Sequence, residues 1–579
     1  MSTQILAGIY ILFWLLFALF FKINFKISGF KFLFGVFLLI ALGVAAQSFP
    51  VVKSVFLGME QVKLSLAFSH DQSWHAALIY ELSNHFPPQI PGFAGQSLKN
   101  YHYFYDLLIS AQYQLFGGSV ALYIEVIYPV IISILFGISV FRTISLITKN
   151  YLIQITTVFL AYFANNLQYI LVLLRLGQWW QSVFFLDQPL IFLFNQPAVL
   201  SIVFFFYFLI FLKQSFKNKG SIVLAGLILG LLAGLKIYAF IVGIMTLGFF
   251  TLYVFIRSFR SRSFKKCFKF VLIGLIAGIV VLIIAFNMFT FGKSFIDYNP
   301  GWIIQAFYEK MLNPYFKQTK IASYYVIYQL QGKYLKFLIL QIIFGAIFVI
   351  GSLGVRIVGL LVIFKKKIKK IEILLLIASL ISLLVLFIGN QSGSAYNIIQ
   401  FGPYLLTAST ILLGGFLAQI KKKNLLVFFI ALILLLSLPV TWHELGKYNL
   451  KKDNRTYDKQ LMEALDVLST LPQGNVFNLY NFTRSSEKEH NIVGSIGRKN
   501  SYLLDLWQLE VLKVDIQKRW QFLEYIKRND CSLKENFSTD YLLLEEGVEG
   551  RYCLGFDLSQ KKLLFTNKKY KIYKAVKKL

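Results

Sequence analysis

Runs of about 20 apolar residues recur along this chain, and no other feature restricts its fold as strongly. A helix of that length crosses the roughly 30 Å hydrocarbon core of a bilayer and satisfies its own backbone hydrogen bonds. The sequence predicts an α-helical polytopic membrane domain, residues 1–440. We expect about twelve transmembrane helices in it, near 5–21, 32–51, 119–141, 151–165, 199–212, 221–235, 237–256, 270–291, 337–363, 371–389, 401–419 and 425–440.

The placement of charge predicts how these helices are oriented. Short clusters of Lys and Arg alternate with longer loops that are mixed in charge and rich in aromatic residues. Basic clusters mark the cytoplasmic side, so the loops 52–118, 166–198 and 292–336 are expected on the extracytoplasmic side. The net charge of +31 then reflects topology, and nucleic acid is not an expected partner.

Residues 441–579 differ in composition, because charges are frequent and apolar runs are short. Their pattern of short strands and amphipathic helices predicts a small α/β or α+β domain. This domain is expected on the extracytoplasmic side, since long domains cross a membrane regardless of charge. It contains Cys531 and Cys553, for which a disulfide and two unpaired thiols are both open.

The first long loop contains a polar segment, His70 to Asp106, that membrane helices do not require. It holds four of the six histidines in the chain, so we expect a functional site there. Asp71 is predicted at a helix N-terminus, either as an N-cap or as a general base. His75 shares a helix face with Asp71, a pair that suits proton transfer or two metal ligands.

The same segment ends in NYHYFYD, residues 100–106. In a helix, His102 and Asp106 lie on one face, and we expect both in the site. The interleaved tyrosines, Tyr101 among them, fit either a belt at the membrane interface or the site itself.

Other segments of the predicted extracytoplasmic side supply cations and amides. Arg175 lies among leucines, where a lipid phosphate, a headgroup or Asp187 is the expected counterion. Lys236 lies between two tightly linked spans, where it suits either a phosphate group or snorkelling to ordinary headgroups. Asn397 and Gln400 begin a late span and suit sugar hydroxyls, although helix capping also accounts for Asn397.

These features resemble the GT-C class of integral-membrane glycosyltransferases, which includes polyprenyl-phosphate-dependent mannosyl- and arabinosyltransferases. The resemblance is carried by SHDQSWHAAL (69–78), YHYFYD (101–106), GLLAGLKIYAF (230–240), AYNIIQF (395–401) and IVGSIGRKNSYLLD (492–505). It implies an inverting hexosyl or pentosyl transfer from a polyprenyl-phosphate-linked donor to a lipid, glycan or protein acceptor. It also implies an extracytoplasmic site in the cell envelope, and we expect a bacterial plasma membrane.

By this resemblance, Asp71 matches the acid that activates the acceptor. Gln72 follows it where members of the class often carry a second acid, so that role is open between Asp106 and Asp187. Some members need a divalent cation, such as Mg²⁺ or Mn²⁺, and others do not, so the cofactor also stays open. The residues expected to bind substrate are His75, His102, Tyr101, Arg175, Asp187, Lys236, Asn397 and Gln400.

A lipid or oligosaccharide transporter, or flippase, is the main alternative. Transporters usually show internal repeats and ionisable residues inside their spans. This sequence shows no convincing repeat, and well inside the predicted spans it has Glu125 and Arg356. A non-catalytic scaffold is a third interpretation, but it leaves the acids and histidines of the first loop unexplained. The sequence has no nucleotide-binding or nucleophile-elbow motif, which agrees with a lipid-linked donor.

Overall fold

The computed structural model describes the chain in segments, and it is mainly helical. The described residues are 30–58, 70–174, 184, 186, 195–259, 265–288, 296–315, 320–391, 394–450, 459–479, 491–528, 530, 539–547 and 561–575. Helices before residue 451 are α1 (Phe30–Gly58), α2 (His70–Asn84), α3 (Phe104–Phe116), α4 (Val120–Ser145), α5 (Tyr151–Phe163), α6 (Gln168–Leu173), α7 (Gln196–Gln214), α8 (Gly220–Leu235), α9 (Ile237–Phe259), α10 (Lys265–Met288), α11 (Trp302–Tyr315), α12 (Lys320–Leu330), α13 (Tyr334–Phe364), α14 (Lys370–Ile388), α15 (Ala395–Leu417), α16 (Lys423–Ser437) and α17 (Pro439–Leu450).

Length and composition mark this protein as an integral membrane protein. Within the described residues, seven helices are long and apolar enough to cross a bilayer, or eight if the bent pair α16 and α17 is one span. Three shorter apolar helices accompany them, at Phe34–Ser48, Tyr151–Phe163 and Gly220–Leu235. Each predicted span from 32–51 onward overlaps one of these helices. The predicted span 5–21 lies outside the described residues.

Glycines allow helices α8 and α10 to pack closely. A Cβ atom on Gly226 would lie 2.7 Å from the Cβ of Ile276, and one on Gly230 would lie 2.5 Å from the Cβ of Val280. Real Cβ atoms do not approach so closely, so larger residues at these positions would force the helices apart. Lys236 directly follows the last residue of α8, so the contact between α8 and α10 helps to position it.

In its described residues, the C-terminal region forms a five-stranded mixed sheet. Its strands are β5 (Asn475–Leu479), β6 (Asn500–Ser501), β7 (Tyr541–Glu545), β8 (Lys562–Thr566) and β9 (Tyr570–Lys574), in the spatial order β6-β5-β7-β9-β8. The pairs β5–β6 and β5–β7 are parallel, whereas β9 is antiparallel to β7 and β8. Its helices are α18 (Lys459–Thr470), α19 (Ile492–Ser495), α20 (Leu506–Val511) and α21 (Gln517–Lys527).

The two faces of this sheet pack against different partners. Side chains alternate between faces along a strand, so Val476 and Leu543 pack in one buried cluster with Leu465 of α18. Their neighbours Phe477 and Leu542 pack in another cluster, which also contains apolar side chains of α2 in the first loop. The sheet therefore shares its core with the polar segment of the first loop.

Backbone hydrogen bonds join the first loop to the C-terminal region. The loop's short antiparallel strands are β1 (Gln89–Ile90) and β2 (Phe93–Ser97). Between them, the carbonyls of Pro91 and Gly92 accept from the backbone N–H groups of Ser501 (2.8 Å) and Leu504 (2.9 Å). The chain after β6 is thereby held over the first loop.

Buried side chains strengthen this junction. The Glu81 carboxylate in α2 accepts from the side-chain amide of Asn500 (2.8 Å). The Arg519 guanidinium donates to the carbonyls of Ala94 (2.6 Å) and Tyr502 (2.5 Å). Charge-assisted bonds of this kind are stronger than neutral ones, so α20 and α21 are fixed relative to α2.

Candidate active site

A cavity of about 330 Å³ lies where the ends of the membrane helices meet the first loop and the C-terminal region. Polar residues from several parts of the chain and apolar residues of α8, α9 and α10 line it together. Its lining residues are Asp71, His75, Asn100, Tyr101, His102, Asn195, Ala233, Lys236, Ile237, Tyr238, Val281, Gln391, Asn397, Gln400, Trp507, Gln508, Val511, Leu512 and Lys513.

Seven residues singled out from the sequence line this one cavity, although they come from separate parts of the chain. They are Asp71, His75, Tyr101, His102, Lys236, Asn397 and Gln400. Two others, Arg175 and Asp187, lie outside the described residues, as do Cys531 and Cys553.

Helix α2 brings its first turn to the cavity. Asp71 lies in that turn and is partly exposed, and His75 follows one turn later and is buried. Both side chains line the cavity, which agrees with the predicted shared helix face. The carboxylate therefore lies next to a site large enough for part of a small ligand.

Asp106 contacts His75 and does not itself line the cavity. Nδ1 of His75 and Oδ1 of Asp106 are hydrogen-bonded at 2.7 Å, and Asp106 is fully buried. Burial raises the pKa of the Asp106 carboxyl above its usual value, although His75 acts in the opposite direction. Among the described residues, no group hydrogen-bonds to the other carboxyl oxygen, Oδ2. Asp106 is thus placed to orient His75.

The predicted helical pairing of His102 with Asp106 is wrong. Helix α3 begins at Phe104. His102 therefore precedes the helix, whereas Asp106 lies in its first turn. Asn100 has a left-handed backbone (φ 59°), and its N–H donates to the Met288 carbonyl at 2.7 Å. The segment before Phe104 is therefore not helical, so spacing along a helix does not apply to it.

His102 enters the cavity beside two aromatic rings. It stacks on Tyr101, with ring centroids 4.9 Å apart, and meets the Tyr238 ring edge-on at 6.3 Å. Burial, together with the nearby Lys236, lowers the pKa of His102 well below its usual value. The imidazole is therefore neutral at pH 7. Its Nε2 has no hydrogen-bond partner among the described residues.

The tyrosines of this segment do not form a belt at a membrane interface. Tyr103 is 0% exposed and Tyr105 is 1% exposed. The Tyr105 hydroxyl donates to the side chain of Gln196 at the start of α7. Tyr101 packs edge-on against Trp74 and lines the cavity, so these tyrosines lie within the protein.

Lys236 supplies the cavity with a buried cation. The residue ends helix α8 in an extended conformation (φ −163°, ψ 110°), and its side chain is 5% exposed. Burial lowers the pKa of Lys236 to about 8, while the nearby carboxylates of Asp71 and Asp106 act in the opposite direction. The ammonium therefore keeps its proton at pH 7. Snorkelling to lipid headgroups does not describe this position, since the side chain lies inside the protein.

Amide side chains line the side of the cavity nearest α15. That helix begins with a 3₁₀ segment, Ala395–Phe401, which carries Asn397 and Gln400 to the cavity. Gln391 lies beside them on β4 (Gly389–Gln391) and accepts a hydrogen bond from the Tyr238 hydroxyl. Strand β4 pairs with β3 (Ile296–Tyr298) from the loop 292–336.

One wall of the cavity, which the C-terminal region contributes, was not predicted from local sequence patterns. Trp507, Gln508 and Lys513, on and just after α20, all line the cavity. Asp505 caps α20 by accepting from the Gln508 N–H at 3.3 Å. Such a cap is ordinary in a short helix, and only the docking of this region on the first loop places it at the cavity.

A divalent cation finds no group of three ligands in the described part of the chain. Nowhere among those residues do three or more His, Cys, Asp or Glu side chains converge. The cavity is lined by one acid, Asp71, and two histidines, His75 and His102, and His75 is already bonded to Asp106. The described residues therefore do not form the set of three protein ligands that a catalytic zinc site uses.

Comparisons with known proteins identify the fold. No family model and no curated protein matches this sequence. The crystal structure of the Archaeoglobus fulgidus oligosaccharyltransferase in complex with Zn and sulfate has a TM-score of 0.52 at 15% identity, covering 88% of this chain and 68% of that one. The same enzyme tethered with an acceptor peptide has a TM-score of 0.51 at 15% identity, covering 83% of this chain and 64% of that one. ArnT from Cupriavidus metallidurans bound to undecaprenyl phosphate has a TM-score of 0.41 at 10% identity, covering 93% and 97%, and this value is too low to support an argument.

An identity of 15% shows a common fold and nothing finer. The predicted fold is confirmed at the level of architecture: this is an α-helical polytopic membrane protein that shares its fold with the Archaeoglobus fulgidus oligosaccharyltransferase. The chain spans 64% of the length of the acceptor-bound oligosaccharyltransferase structure, so the activity of that enzyme does not transfer to this chain as a finding.

Proposed function

We propose that this protein is a membrane glycosyltransferase that moves a sugar from a polyprenyl-phosphate-linked donor to a lipid, glycan or protein acceptor. The observation that carries this proposal is one cavity that holds a carboxylate, Asp71, and a buried cation, Lys236, among amide side chains. The fold, shared with an oligosaccharyltransferase, supports the same class of reaction. The predicted topology places the cavity at the extracytoplasmic face.

Asp71 is assigned as the general base. The acceptor oxygen attacks the anomeric carbon of the sugar, while the bond from that carbon to the phosphate oxygen breaks. The acceptor proton passes to the Asp71 carboxylate, and the polyprenyl phosphate leaves with the electron pair of the broken bond. Attack from the face opposite the leaving group inverts the anomeric centre, and such base catalysis contributes about 10²- to 10⁴-fold.

Lys236 is assigned to the phosphate of the donor. Charge builds on the phosphate oxygen as the glycosidic bond breaks, and a cation fixed in a site of low polarity stabilises that charge strongly. With a pKa of about 8, the Lys236 ammonium is protonated at neutral pH. Ala233, Ile237 and Val281 form the apolar side of the cavity, where the first isoprene units of the donor can pack.

His75 and Asp106 are assigned to orientation. A carboxylate that accepts from Nδ1–H fixes the imidazole tautomer and directs Nε2 away from itself. Asp106 is accordingly a positioning residue that acts through His75, which lines the cavity. Tyr101, His102, Asn397 and Gln400 are left to bind the sugar, since amides and a neutral imidazole both donate to and accept from hydroxyls. A hexose and a pentose both remain candidates for that sugar.

Substituting Asp71 by Asn tests this function. Asn caps a helix about as well as Asp does, so the variant keeps any capping role and removes the base. We expect transfer from synthetic polyprenyl-phosphate sugars, assayed with purified protein in detergent, to fall by about 10²-fold or more. Thermal unfolding should be unchanged.

A matched control is Asp297→Asn, which alters an exposed acid on β3 outside the cavity. It should leave transfer at the wild-type rate. Wild-type turnover in the Asp71→Asn protein would show that Asp71 is not the base.

A further inference from the structure

A second cavity, of about 260 Å³, lies on the other side of helix α2. Ala76 and Tyr80 of that helix line it, whereas Asp71 and His75 line the first cavity. At 3.6 residues per turn, Ala76 and Tyr80 lie about 140° and about 180° around the helix from Asp71. Helix α2 therefore separates the two cavities, and a ligand in the second one cannot reach the proposed base.

One residue that lines the second cavity is a buried serine. Ser495 of α19 is 2% exposed and lines the cavity beside the buried residues Val120 and Ala121. Among the described residues, no group hydrogen-bonds to its side-chain oxygen. Buried hydroxyls are nearly always paired, and a ligand with its own hydroxyl groups would satisfy this one.

The other walls combine donors and acceptors of both charges. Arg498 supplies a guanidinium, which lies 4.9 Å from the centroid of the Tyr80 ring, and Asp466 of α18 supplies a carboxylate. Ser119 and Ser469 add hydroxyls near the opening. One cation and one anion balance, so the cavity has no net charge that favours a phosphate. Such mixed walls match a neutral molecule with many hydroxyls.

We infer that this second cavity binds a neutral saccharide unit at a site separate from the reaction. Its volume is close to the lower end of small-molecule sites, about 300 Å³, which suits one or two sugar rings. The inference goes beyond the proposed function, because saccharide binding here requires no transfer. In a glycosyltransferase, the site would hold part of a glycan that is not reacting.

Photoaffinity labelling tests this inference on the purified full-length protein. The probes are methyl glycosides of glucose, galactose, mannose and N-acetylglucosamine, each carrying a diazirine, and peptides are mapped by mass spectrometry. We expect at least one probe to label segments 119–121, 466–470 or 495–498. Tenfold excess inorganic phosphate should not compete. No labelling by any probe, labelling confined to the first cavity, or displacement by phosphate would each overturn the proposal.

Blocking variants test the location. Ser469→Trp fills the cavity from its wall, and Thr470→Trp does so from its exposed edge should the first variant fail to fold. Each should reduce labelling at least tenfold. The control, Lys459→Trp, changes an exposed residue at the far end of the same helix and should label like wild type. Undiminished labelling in a folded blocking variant would refute the site.

Discussion

The role of the Lys236 charge can be tested in two ways. Substitution removes the charge, and burial lowers the pKa so that alkaline pH removes it as well. In the Lys236→Ala protein the donor phosphate loses a charge-assisted hydrogen bond, which contributes about 1.5–3 kcal/mol. At about 1.36 kcal/mol for each factor of ten, kcat/KM for the donor should fall by about 10- to 160-fold. Lys562→Ala, at an exposed position in the C-terminal sheet, should have no effect.

The pH dependence of the same rate constant supplies the second half of this test. The pKa of Lys236 is lowered to about 8 by burial, so the free protein loses this charge as the pH rises through 8. We expect kcat/KM for the donor, measured from initial rates between pH 6 and 9.5, to fall about tenfold per pH unit above that point.

Lys236→Arg separates charge from other effects of alkaline pH. Arginine stays protonated over the whole range, so this variant should lose the alkaline limb even if its rate at pH 7 is lower. A wild-type profile that stays flat to pH 9.5 would contradict the lowered pKa of Lys236, and an identical alkaline limb in the Lys236→Arg protein would refute the assignment of Lys236 to the phosphate.

Two further predictions concern the pair beside the base and the packing of the membrane helices. Asp106→Asn and His75→Gln should each lower kcat by about 10- to 100-fold with little change in KM. The double variant should be no worse than the poorer single variant, because the effects of residues that act as a unit are not additive. Additive losses would contradict the positioning role. Gly230→Ala places a Cβ atom 2.5 Å from that of Val280 and should lower the free energy of unfolding, measured by heat or denaturant, by about 1–3 kcal/mol. Gly248→Ala is the control, because a Cβ atom there meets nothing within 4 Å, and it should be neutral. Equal stability of the two proteins would contradict the close contact of α8 with α10.

Much of the fold was predictable because the bilayer imposes one simple requirement. Long apolar runs must be helices, so every predicted span in the described residues coincides with a helix. Part of the site was predictable for a related reason. Polar residues such as Asp71, His102 and Lys236 have no role in a lipid-facing helix, and all three line the same cavity.

Other parts of the site depend on contacts that a local pattern does not encode. The bond between His75 and Asp106 arises because α2 packs against α3, and helical spacing had paired Asp106 with His102 instead. The wall that carries Trp507 is placed by long-range bonds such as those of Arg519. Neither contact has a signature in sequence spacing, since each joins segments that are far apart in the chain.

We propose that the donor is cleaved at this cavity, and this can be tested by following the fate of the donor. A synthetic polyprenyl-phosphate sugar with a labelled sugar would be given to the protein in vesicles together with a membrane extract as the source of acceptor. Mass spectrometry would then quantify the released polyprenyl phosphate and the labelled acceptor. We predict that both appear in equal amounts with wild-type protein and that neither appears with Asp71→Asn. Intact donor that moves to the opposite leaflet, with neither product formed, would contradict the claim and identify a transporter.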